Sequence, residues 1–334
     1  MEKQDKIAVV VLNWNGKKLL ETFLPSIIRF SNEATIYVAD NASTDDSIAF
    51  LKTNFPMVSI IQNDKNYGFA KGYNEALKNI DAEIYALVNS DIEVTENWLQ
   101  PIIETFGNEP KIAIIQPKIL DFKDKNKFEY AGAAGGFIDQ FGYPFCRGRI
   151  FETLEQDKHQ YDDNCEIFWA SGACFFIKKN VFDELNGFDE DFFAHQEEID
   201  LCWRAFNKNH TIKYISSSIV YHVGGATLAL GNPQKTYLNF RNSLLMLTKN
   251  VPLSSLFLVL FVRMILDGIA GFHFLFKGKF QHFFAILRAH FSFYKMFLQT
   301  YKKRESTQFK NYFKIKSIVF TYFINNGKVF EKLF

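Results

Sequence analysis

The stretch IAVVVLNW, residues 7–14, decides the fold of this chain. It runs through six apolar residues, four of them β-branched, before it reaches polar ones. A strand without a polar face is typical of a parallel sheet that helices cover on both sides. The charged segment 1–6 precedes it, without the apolar stretch and cleavage site of a signal peptide. The sequence therefore predicts an α/β domain that stays in the cytoplasm.

Strand-like and helix-like segments alternate over the first hundred residues. The strand-like segments after the first are 34–40, 58–63 and 84–91. The helix-like segments are 16–30, 43–55 and 68–80. Ser43 or Thr44 is the expected cap of the second helix. This alternation predicts right-handed βαβ units and a mostly parallel central sheet with flanking helices.

Polar residues follow each of the four predicted strands. They are Asn13 and Asn15, then Asp40 and Asn41, then Asn63, Asp64 and Asn66, and finally Asn89 and Asp91. Ligands of open α/β sheets bind beyond the carboxyl ends of the strands. One such cluster would be a turn, but four at the same edge of a sheet predict a binding site. Asp91 is followed by Glu93, and acids at a strand end are most simply explained by a cation.

The second half of the chain is less regular. Residues 107–170 include the glycine- and aromatic-rich stretch YAGAAGGFIDQFGYP and predict short strands with a mobile loop over the site. Segment 168–188 predicts a strand and a helix. Segment 192–206 predicts a helix with acids near its start, and segment 210–225 a strand that reaches His222.

The composition changes at residue 251. Segment 251–276 has about the length of a bilayer span, but Arg263 and Asp267 interrupt it. From residue 277 onward the chain has twelve basic and two acidic residues interleaved with aromatics, against 26 basic and 35 acidic residues before it. Three interpretations remain open, namely a helical region in the membrane interface, a true span, and a soluble helical cap. The pattern favours the first, on an anionic membrane surface.

Several classes of protein are disfavoured. The four cysteines have no CxxC spacing, which indicates reduced thiols rather than a metal-thiolate site. The first strand is not followed by GxGxxG, as an NAD-dependent oxidoreductase would require, and GxxxxGK[ST] is absent. The basic tail carries no recognisable nucleic-acid-binding motif, so no nucleic-acid partner is expected.

Six motifs, in this order, resemble those of the family 2 glycosyltransferases with the GT-A fold, particularly the rhamnosyltransferase-like branch. They are VVVLNWNG, VADNASTDDS, NYGFAKGYNEAL, VNSDIEV, SGACFFIKKNVFDELNGFDEDFF and EEIDLCWR. The resemblance covers roughly residues 5–245. It implies a GT-A domain over 1–250, with a nucleotide-binding half over about 1–106 and an acceptor half over about 107–250, followed by the helical region 251–334.

The activity that this resemblance implies is an inverting transfer of a sugar from a nucleoside-diphosphate sugar. The donor would be dTDP-rhamnose or a UDP-sugar. The acceptor would be a cell-surface glycan or a polyprenyl-linked saccharide at the inner face of the cell membrane. Two alternatives remain, a nucleotidyltransferase and a non-catalytic nucleotide-sugar-binding scaffold. The first would be expected to carry a Gly-rich, basic loop after the first strand, of which NWNGKKLLE is a poor version.

The resemblance also implies a donor site. Asp40 would accept a hydrogen bond from the base, although it could also cap a helix. Asn13 and Asn15 would contact the base and ribose. The remaining cofactor-binding residues are Asn41, Asn66, Gly68, Gly72 and Asn89. Gly68 and Gly72 would let backbone N–H groups approach the diphosphate at a helix N-terminus.

The metal that the resemblance implies is Mg²⁺ or Mn²⁺. Asp91 keeps the last acid of the family's Asp-x-Asp triplet, and Asn89 stands where the first acid often lies. Hard divalent ions commonly use one or two carboxylates with phosphate and water. His222 fits the position of a further ligand in some relatives, or it could be held by backbone hydrogen bonds.

The catalytic base, by the same resemblance, is Glu198, although a Glu in place of the family's Asp leaves Glu197 and Asp200 open as alternatives. Glu197 and Asp200 are candidates to position the acceptor or Arg204, although acids at a helix start also suit its dipole. The acceptor site would be bordered by residues 169–172 and 188–191, with aromatics that stack on sugars. Its expected members include Trp169, Gly172 and Arg204, whereas Phe188 could equally be a core residue.

Overall fold

The structure, a computed structural model, describes residues 5–224 and 231–334. The first strand, β1 (Asp5–Asn13), lies between β2 (Thr35–Asp40) and β4 (Ala82–Asn89), and β3 (Ser59–Gln62) lies beyond β2. These four strands are parallel. Residues 7–11 are at most 1% exposed, in agreement with their lack of a polar face. Residues 1–4, which belong to the segment predicted not to be a signal peptide, and Gly225, the end of the last predicted strand, lie outside the described residues.

The helices of this half lie close to their predicted positions. They are α1 (Lys17–Phe30), α2 (Ser47–Asn54) and α3 (Ala70–Leu77), and α4 (Gln100–Asn108) comes after the short strand β5 (Ile92–Val94). The predicted caps of α2 are wrong, because the helix begins after Asp46. Ser43 binds the Asp40 carboxylate instead, and Thr44 donates its N–H to Asn15 Oδ1.

The sheet continues with antiparallel and parallel strands. These are β6 (Ile112–Asp121), β11 (Cys165–Ile167), β12 (Cys174–Lys178) and β13 (Thr211–His222). Within the described residues the nine-stranded sheet has the order β11-β13-β6-β12-β4-β1-β2-β3, and β5 pairs with β13. Because β12 is antiparallel to both β4 and β6, the sheet is more mixed than the sequence predicted. The α/β class is confirmed.

Strand β6 was not predicted. Nine of its ten residues are buried, although Gln116, Pro117 and Lys118 interrupt the apolar pattern. A smaller four-stranded sheet follows it, made of β7 (Gly136–Ile138), β8 (Pro144–Cys146), β9 (Arg149–Ile150) and β10 (Thr153–Leu154). The irregular region therefore contains one long central strand as well as the predicted short ones.

Two helices lie around strands β12 and β13. Helix α5 (Lys179–Glu184) is followed by a short 3₁₀ turn (Glu190–Phe192) and by α6 (Glu197–Asn207). Helix α6 begins later than residue 192, because Phe193, His195 and Gln196 have φ angles of 63°, 70° and 73°. Such left-handed residues cannot continue a right-handed helix.

The C-terminal part is helical, as predicted. It contains α7 (Pro233–Asn250), α8 (Leu253–Phe276), α9 (Phe280–Lys302), α10 (Ile318–Phe323) and a 3₁₀ turn (Phe330–Leu333). Helices α8 and α9 form an antiparallel hairpin, because Asp267 contacts His290 while Phe272 contacts Phe283. After the hairpin the chain returns to the sheet domain, where Ile318 N donates to the buried Asp139 carboxylate.

Candidate active site

The strand ends bring the expected polar residues together at one edge of the sheet. Asn13 of β1 is paired with Asp40 of β2, and Leu12 is paired with Asn89 of β4. The Asn13 and Asp40 side chains are fully buried, and Asn13 Nδ2 donates to Asp40 Oδ1 over 2.9 Å. Asn13 Oδ1 has no hydrogen-bond partner in the protein. This edge therefore carries a polar pair below the surface.

Asp40 is already engaged by its own loop. Its Oδ1 accepts from Asn13 and from the Ser43 hydroxyl, and its Oδ2 accepts from Ser43 N over 2.8 Å. A carboxylate offers about four lone-pair positions, so these three hydrogen bonds leave one at Oδ2. Asn15 stabilises the same loop, since its Oδ1 accepts from Thr44 N over 2.7 Å.

Asn41 and Gly72 hold α3 against the strands. Asn41 Nδ2 donates to Gly68 O over 2.8 Å, and Asn41 Oδ1 accepts from Asn63 Nδ2 over the same distance. A Cβ on Gly72 would lie 2.6 Å from Asn41 Nδ2, so a glycine is needed for this close approach. These contacts are structural.

The expected diphosphate cradle at the start of α3 is not open. Gly68 has a φ of 74° and donates its N–H to Asn66 Oδ1 over 2.9 Å. The N–H groups of Phe69 and Ala70 both donate to Phe193 O, at 2.8 and 3.4 Å. The prediction that these amides meet a diphosphate therefore conflicts with the structure. Phe193 was not anticipated, and its ring is 47% exposed beside this loop.

Asp91 and His222 lie side by side at the end of the sheet. His222 is paired with Ile92 across β13 and β5, and its Nε2 lies 3.2 Å from Asp91 Oδ1. Both side chains are buried. The two groups form an ion pair here, and both could bind one divalent cation if that cation displaced the imidazole proton.

Glu129 completes this group and was missed by the sequence analysis. Its Oε2 lies 3.3 Å from His222 Nδ1, on the side of the imidazole opposite Asp91. Burial by itself lowers the pKa of His222, but Glu129 and Asp91 outweigh it and raise that pKa to about 10. Histidines that bind metals commonly donate their other N–H to a carboxylate, which fixes the tautomer. Glu129 lies in the irregular region outside any recognised motif, so no sequence signal marked it.

The two glutamates at the start of α6 have different environments. Burial raises the pKa of Glu197 well above its usual value, and the neighbouring Glu198 adds to this effect. Burial raises the pKa of Glu198 to about 7, against the opposing effect of backbone N–H groups. The Oε2 atom of each is buried without a hydrogen-bond partner. Two carboxyl groups with separated pKa values are typical of an acid–base site.

Asp200 and Arg204 belong to an ion-pair network. Asp200 accepts hydrogen bonds over 2.8 Å from each of Arg204 Nε, Lys249 Nζ and Asn250 Nδ2. Burial opposes ionisation, yet Lys249 and Arg204 hold the pKa of Asp200 below its usual value. Arg204 also donates to Leu185 O and Gly187 O, so it anchors the segment before the 3₁₀ turn rather than facing a substrate.

The expected acceptor residues are divided between the site and the core. A Cβ on Gly172 would lie 3.7 Å from Glu198, and the next residue, Ala173, accepts a hydrogen bond from Asn89 N. The edge of β4 and the acids of α6 are thus neighbours. Trp169 and Phe188 are only 2% exposed, which conflicts with stacking of the Trp169 ring on a sugar and agrees with the core alternative for Phe188.

A second acidic group can be set aside. Asp157, His159 and Asp162 lie close enough to share an ion. The buried Lys118 ammonium already forms ion pairs with both aspartates. This cation engages both carboxylates and offsets one of their two charges, so Asp91 and His222 remain the better metal candidates.

Known proteins resemble the chain in sequence and in fold. The N-acetylglucosaminyl-diphospho-decaprenol L-rhamnosyltransferase of Mycobacterium tuberculosis is 23% identical over 235 residues, which are 65% of this chain and 76% of that protein. The predicted GT-A fold is confirmed by two glycosyltransferase structures.

The first of these structures is GalNAc-T7 with UDP, GalNAc and Mn²⁺. It has a TM-score of 0.57 and 16% identity over 75% of this chain, which spans about half (49%) of GalNAc-T7. The second is the mannosyltransferase PcManGT of Pyrobaculum calidifontis with GDP-Man and Mn²⁺, with a TM-score of 0.53 and 12% identity over 88% of this chain and 76% of that one. The sequence model of glycosyl transferase family 2 matches residues 8–185, more than half of the 334-residue chain, and the chain belongs to this family.

Proposed function

We propose that the protein transfers a sugar, with inversion, from a nucleoside-diphosphate sugar to a hydroxyl group of a saccharide acceptor. The observation that carries this proposal is the half-buried carboxyl group of Glu198 beside Gly172, whose Oε2 atom is buried without a hydrogen-bond partner and whose pKa is raised to about 7. A group with this pKa can take up a proton near neutral pH. Ala173, the residue after Gly172, accepts a hydrogen bond from the N–H of Asn89, two residues before Asp91.

The reaction needs one base. Glu198 takes the proton of the acceptor hydroxyl while that oxygen forms a bond to the anomeric carbon. The bond from the anomeric carbon to the diphosphate breaks, and the nucleoside diphosphate leaves with the electron pair. Burial and the neighbouring Glu198 raise the pKa of Glu197 well above its usual value, which favours its protonated form. Of the two glutamates, Glu198 is then the one that can act as a base.

Asp91 and His222 would hold a divalent cation, Mg²⁺ or Mn²⁺, with Glu129 fixing the imidazole. When bound, the cation stabilises the negative charge that develops on the leaving diphosphate. Asp40 would accept a hydrogen bond from the nucleotide base through the remaining lone pair of its Oδ2. Phe193, an exposed aromatic residue, would face a sugar. The donor would be dTDP-rhamnose or a UDP-sugar, in line with the rhamnosyltransferase named above.

The decisive experiment is calorimetric binding of UDP, dTDP, GDP and CDP with Mn²⁺ and with a chelator. We expect metal-dependent binding of dTDP or UDP, lost in Asp91→Asn. Glu93→Gln is the matched control, since Glu93 lies two residues away and pairs with Lys125 instead. Metal-independent binding would refute the metal site. If none of the four nucleotides binds, the donor site is refuted and the scaffold alternative is favoured.

The acceptor would be presented at a membrane, on the cytoplasmic face. The M. tuberculosis relative's name includes a diphospho-decaprenol acceptor. In this chain, α8 exposes large apolar side chains along one face. They are Phe257, Phe261, Ile265, Ile269, Phe272 and Phe276, each at least 50% exposed. A face of this kind is typical of a membrane contact.

Helix α9 extends the same kind of surface. Its exposed apolar residues recur every three or four positions, at Phe280, Phe284, Leu287, Phe291, Tyr294 and Leu298. Exposed basic residues lie among them, at Lys277, Lys279, Arg288, Lys295 and Lys302. Asp267 is the one acid between residues 251 and 304, and it is buried. The outer surface of the hairpin is thus apolar and basic, which suits an anionic bilayer.

The hairpin would lie on the membrane rather than cross it. Helix α8 is the one helix in the described part of the chain that is long and apolar enough for a span. Its two charged residues point inward, where Arg263 Nε donates to Asp267 Oδ1 over 2.8 Å and Arg263 Nη1 donates to Phe141 O over 3.2 Å. A span would separate this pair from the sheet domain. The division of the chain at residue 250 is part of the same proposal.

Vesicle sedimentation tests this part. We expect the full chain to pellet with vesicles that contain phosphatidylglycerol, and less with vesicles of phosphatidylcholine alone or at high salt, because charge attraction is screened. A protein that stays in the supernatant with both kinds of vesicle would refute the membrane proposal and leave the soluble cap.

A further inference from the structure

Two arginines of the small sheet differ in their partners. Arg147 is 6% exposed, forms an ion pair with Asp163, and lies over the Tyr161 ring at 4.7 Å. Arg149 is 8% exposed but has no carboxylate within ion-pair distance among the described residues, although Glu129 acts on it from farther away, and its Nε is buried without a hydrogen bond. Its nearest contacts are the Tyr130 ring at 4.4 Å and Cys146 Sγ at 3.8 Å from Nη2.

A buried guanidinium without a counter-ion is costly. Arginine cannot lose its charge in a protein, so burial cannot be relieved by deprotonation. A thiol and an aromatic ring offset little of the lost hydration. Residues 225–230, outside the described part, have no acidic side chain in their sequence. An anion from outside the chain would supply the missing partner.

The residues around Arg149 indicate which anion would bind there. Tyr130, under the guanidinium, is the residue next to Glu129, which contacts His222. Lys235, in the first turn of α7, is a second cation without an ion pair in the described structure. Burial lowers the pKa of Lys235, and Arg149 adds to this while Glu129 opposes it. Burial and then Lys235 lower the pKa of His195, two residues before Glu197, to about 4.

The contact with the Tyr130 ring places Arg149 close to Glu129 and thus to the proposed metal residues. Glu129 and Arg149 act on the pKa of Lys235, and Lys235 acts on that of His195, so Lys235 lies within electrostatic range of these groups. Neither Arg149 nor Lys235 has a role in the proposed reaction. His195 Nε2 is also buried without a partner.

We propose that Arg149 and Lys235 form a binding site for the phosphate groups of a diphosphate substrate. A planar guanidinium suits phosphate oxygens, to which it can donate two parallel hydrogen bonds. The diphosphate could be that of the nucleotide donor or that of a lipid-linked acceptor. This choice of source rests on the proposed function, whereas the anion site itself does not.

The test is calorimetric titration of the full chain with inorganic pyrophosphate in the presence of a chelator. Arg149→Met should weaken pyrophosphate binding by about tenfold or more, since hydrogen bonds to charged groups are among the stronger ones. Arg147→Met is the matched control, because it removes an arginine of the same hairpin that already has an acidic partner. The control should bind as the wild type does.

Further variants separate binding from folding and identify the source. Arg149→Lys should keep part of the affinity, and thermal melting will show whether each variant is folded. If Mn²⁺ and UDP or dTDP abolish pyrophosphate binding, the site serves the donor; if binding persists, it serves the acceptor. Equal binding by wild type and folded Arg149→Met, or no binding by the wild type, would overturn the proposal. Failure of the nucleotides to bind while pyrophosphate still requires Arg149 would refute the proposed donor site alone.

Discussion

The sheet edge and the α8–α9 hairpin depart from an ordinary protein surface in opposite ways. At the sheet edge and at the start of α6 beside it, polar atoms are buried without partners, and they include Asn13 Oδ1, His195 Nε2, Glu197 Oε2 and Glu198 Oε2. On the hairpin, large apolar side chains face outward without cover. Each unsatisfied buried group costs about 1–3 kcal/mol, and contiguous exposed apolar patches are rare in monomers. Each region is therefore incomplete without a molecule of matching chemistry.

In each region, the kind of group that lacks a partner in the other region is satisfied within the protein. Arg263 and Asp267 of the hairpin are paired with each other and with the sheet domain. Near the sheet edge, Phe188 is packed in edge-to-face contacts with Phe69, Phe175 and Phe182. The unpartnered atoms of the first region thus suit a polar molecule, whereas the exposed side chains of the second suit an apolar one.

The largest expected effect is a loss of sugar transfer, which should depend on the sheet edge and not on the hairpin. Glu198→Gln removes the proposed base and should lower transfer by about 10²- to 10⁴-fold, the usual worth of general base catalysis. Binding of nucleotide and of vesicles should not change, since neither uses this carboxylate. Transfer assays with a radiolabelled donor would measure the loss. Normal transfer would move the base to Glu197.

A double substitution on the hairpin should weaken vesicle binding and leave the sheet edge unaffected. Phe261→Asp with Phe284→Asp removes two exposed rings and adds charges that an anionic membrane repels. We expect partition into phosphatidylglycerol vesicles to fall by about 10²-fold or more, since each buried aromatic contributes about 1.5–3 kcal/mol. Nucleotide binding should stay at the wild-type level.

The control for this change is Met57→Asp, at a residue that is 66% exposed on the sheet domain. It should leave vesicle binding intact. Equal losses in both variants would mean that added charge alone, rather than the hairpin surface, governs binding.

Glu129→Gln tests how the metal group is organised. Loss of a carboxylate behind a metal-binding histidine typically costs about 10- to 100-fold in metal affinity. Calorimetric titration with Mn²⁺ would measure this directly, without reference to turnover. Glu93→Gln again serves as the control. Unchanged affinity would show that Glu129 does not position His222.

The smallest effect is a dependence on pH. The base must be ionised, and burial raises the pKa of Glu198 to about 7. Activity should therefore rise with pH and level off above about 7, falling about tenfold for each unit below it. Vesicle binding should stay constant between pH 6 and 8, because lysine and arginine keep their charge there. A flat activity profile would remove Glu198 from the role of base.

The regular part of the fold could be predicted from the sequence, because β1 and its neighbours alternate with amphipathic helices. The polar residues after these strands also lie where the pattern placed them. Strand β6 escaped prediction, since Pro117 and Lys118 break its apolar run. The site was harder to predict for two reasons. Glu129 and His222 are far apart in the sequence and meet only in the folded chain, so no local pattern marks their contact. The N–H groups that follow Gly68 donate to Phe193 O, which the sequence does not show either.

The return of the chain from the hairpin to the sheet domain has a consequence for how the protein would move. The hairpin is attached at both ends, at one end by α7 and at the other by the segment in which Ile318 N binds Asp139. Two attachments remove most of the rotation that a single tether would allow. On a bilayer, the sheet edge would keep a fixed height and tilt. Encounters with a lipid-linked acceptor would then become a search in two dimensions rather than three.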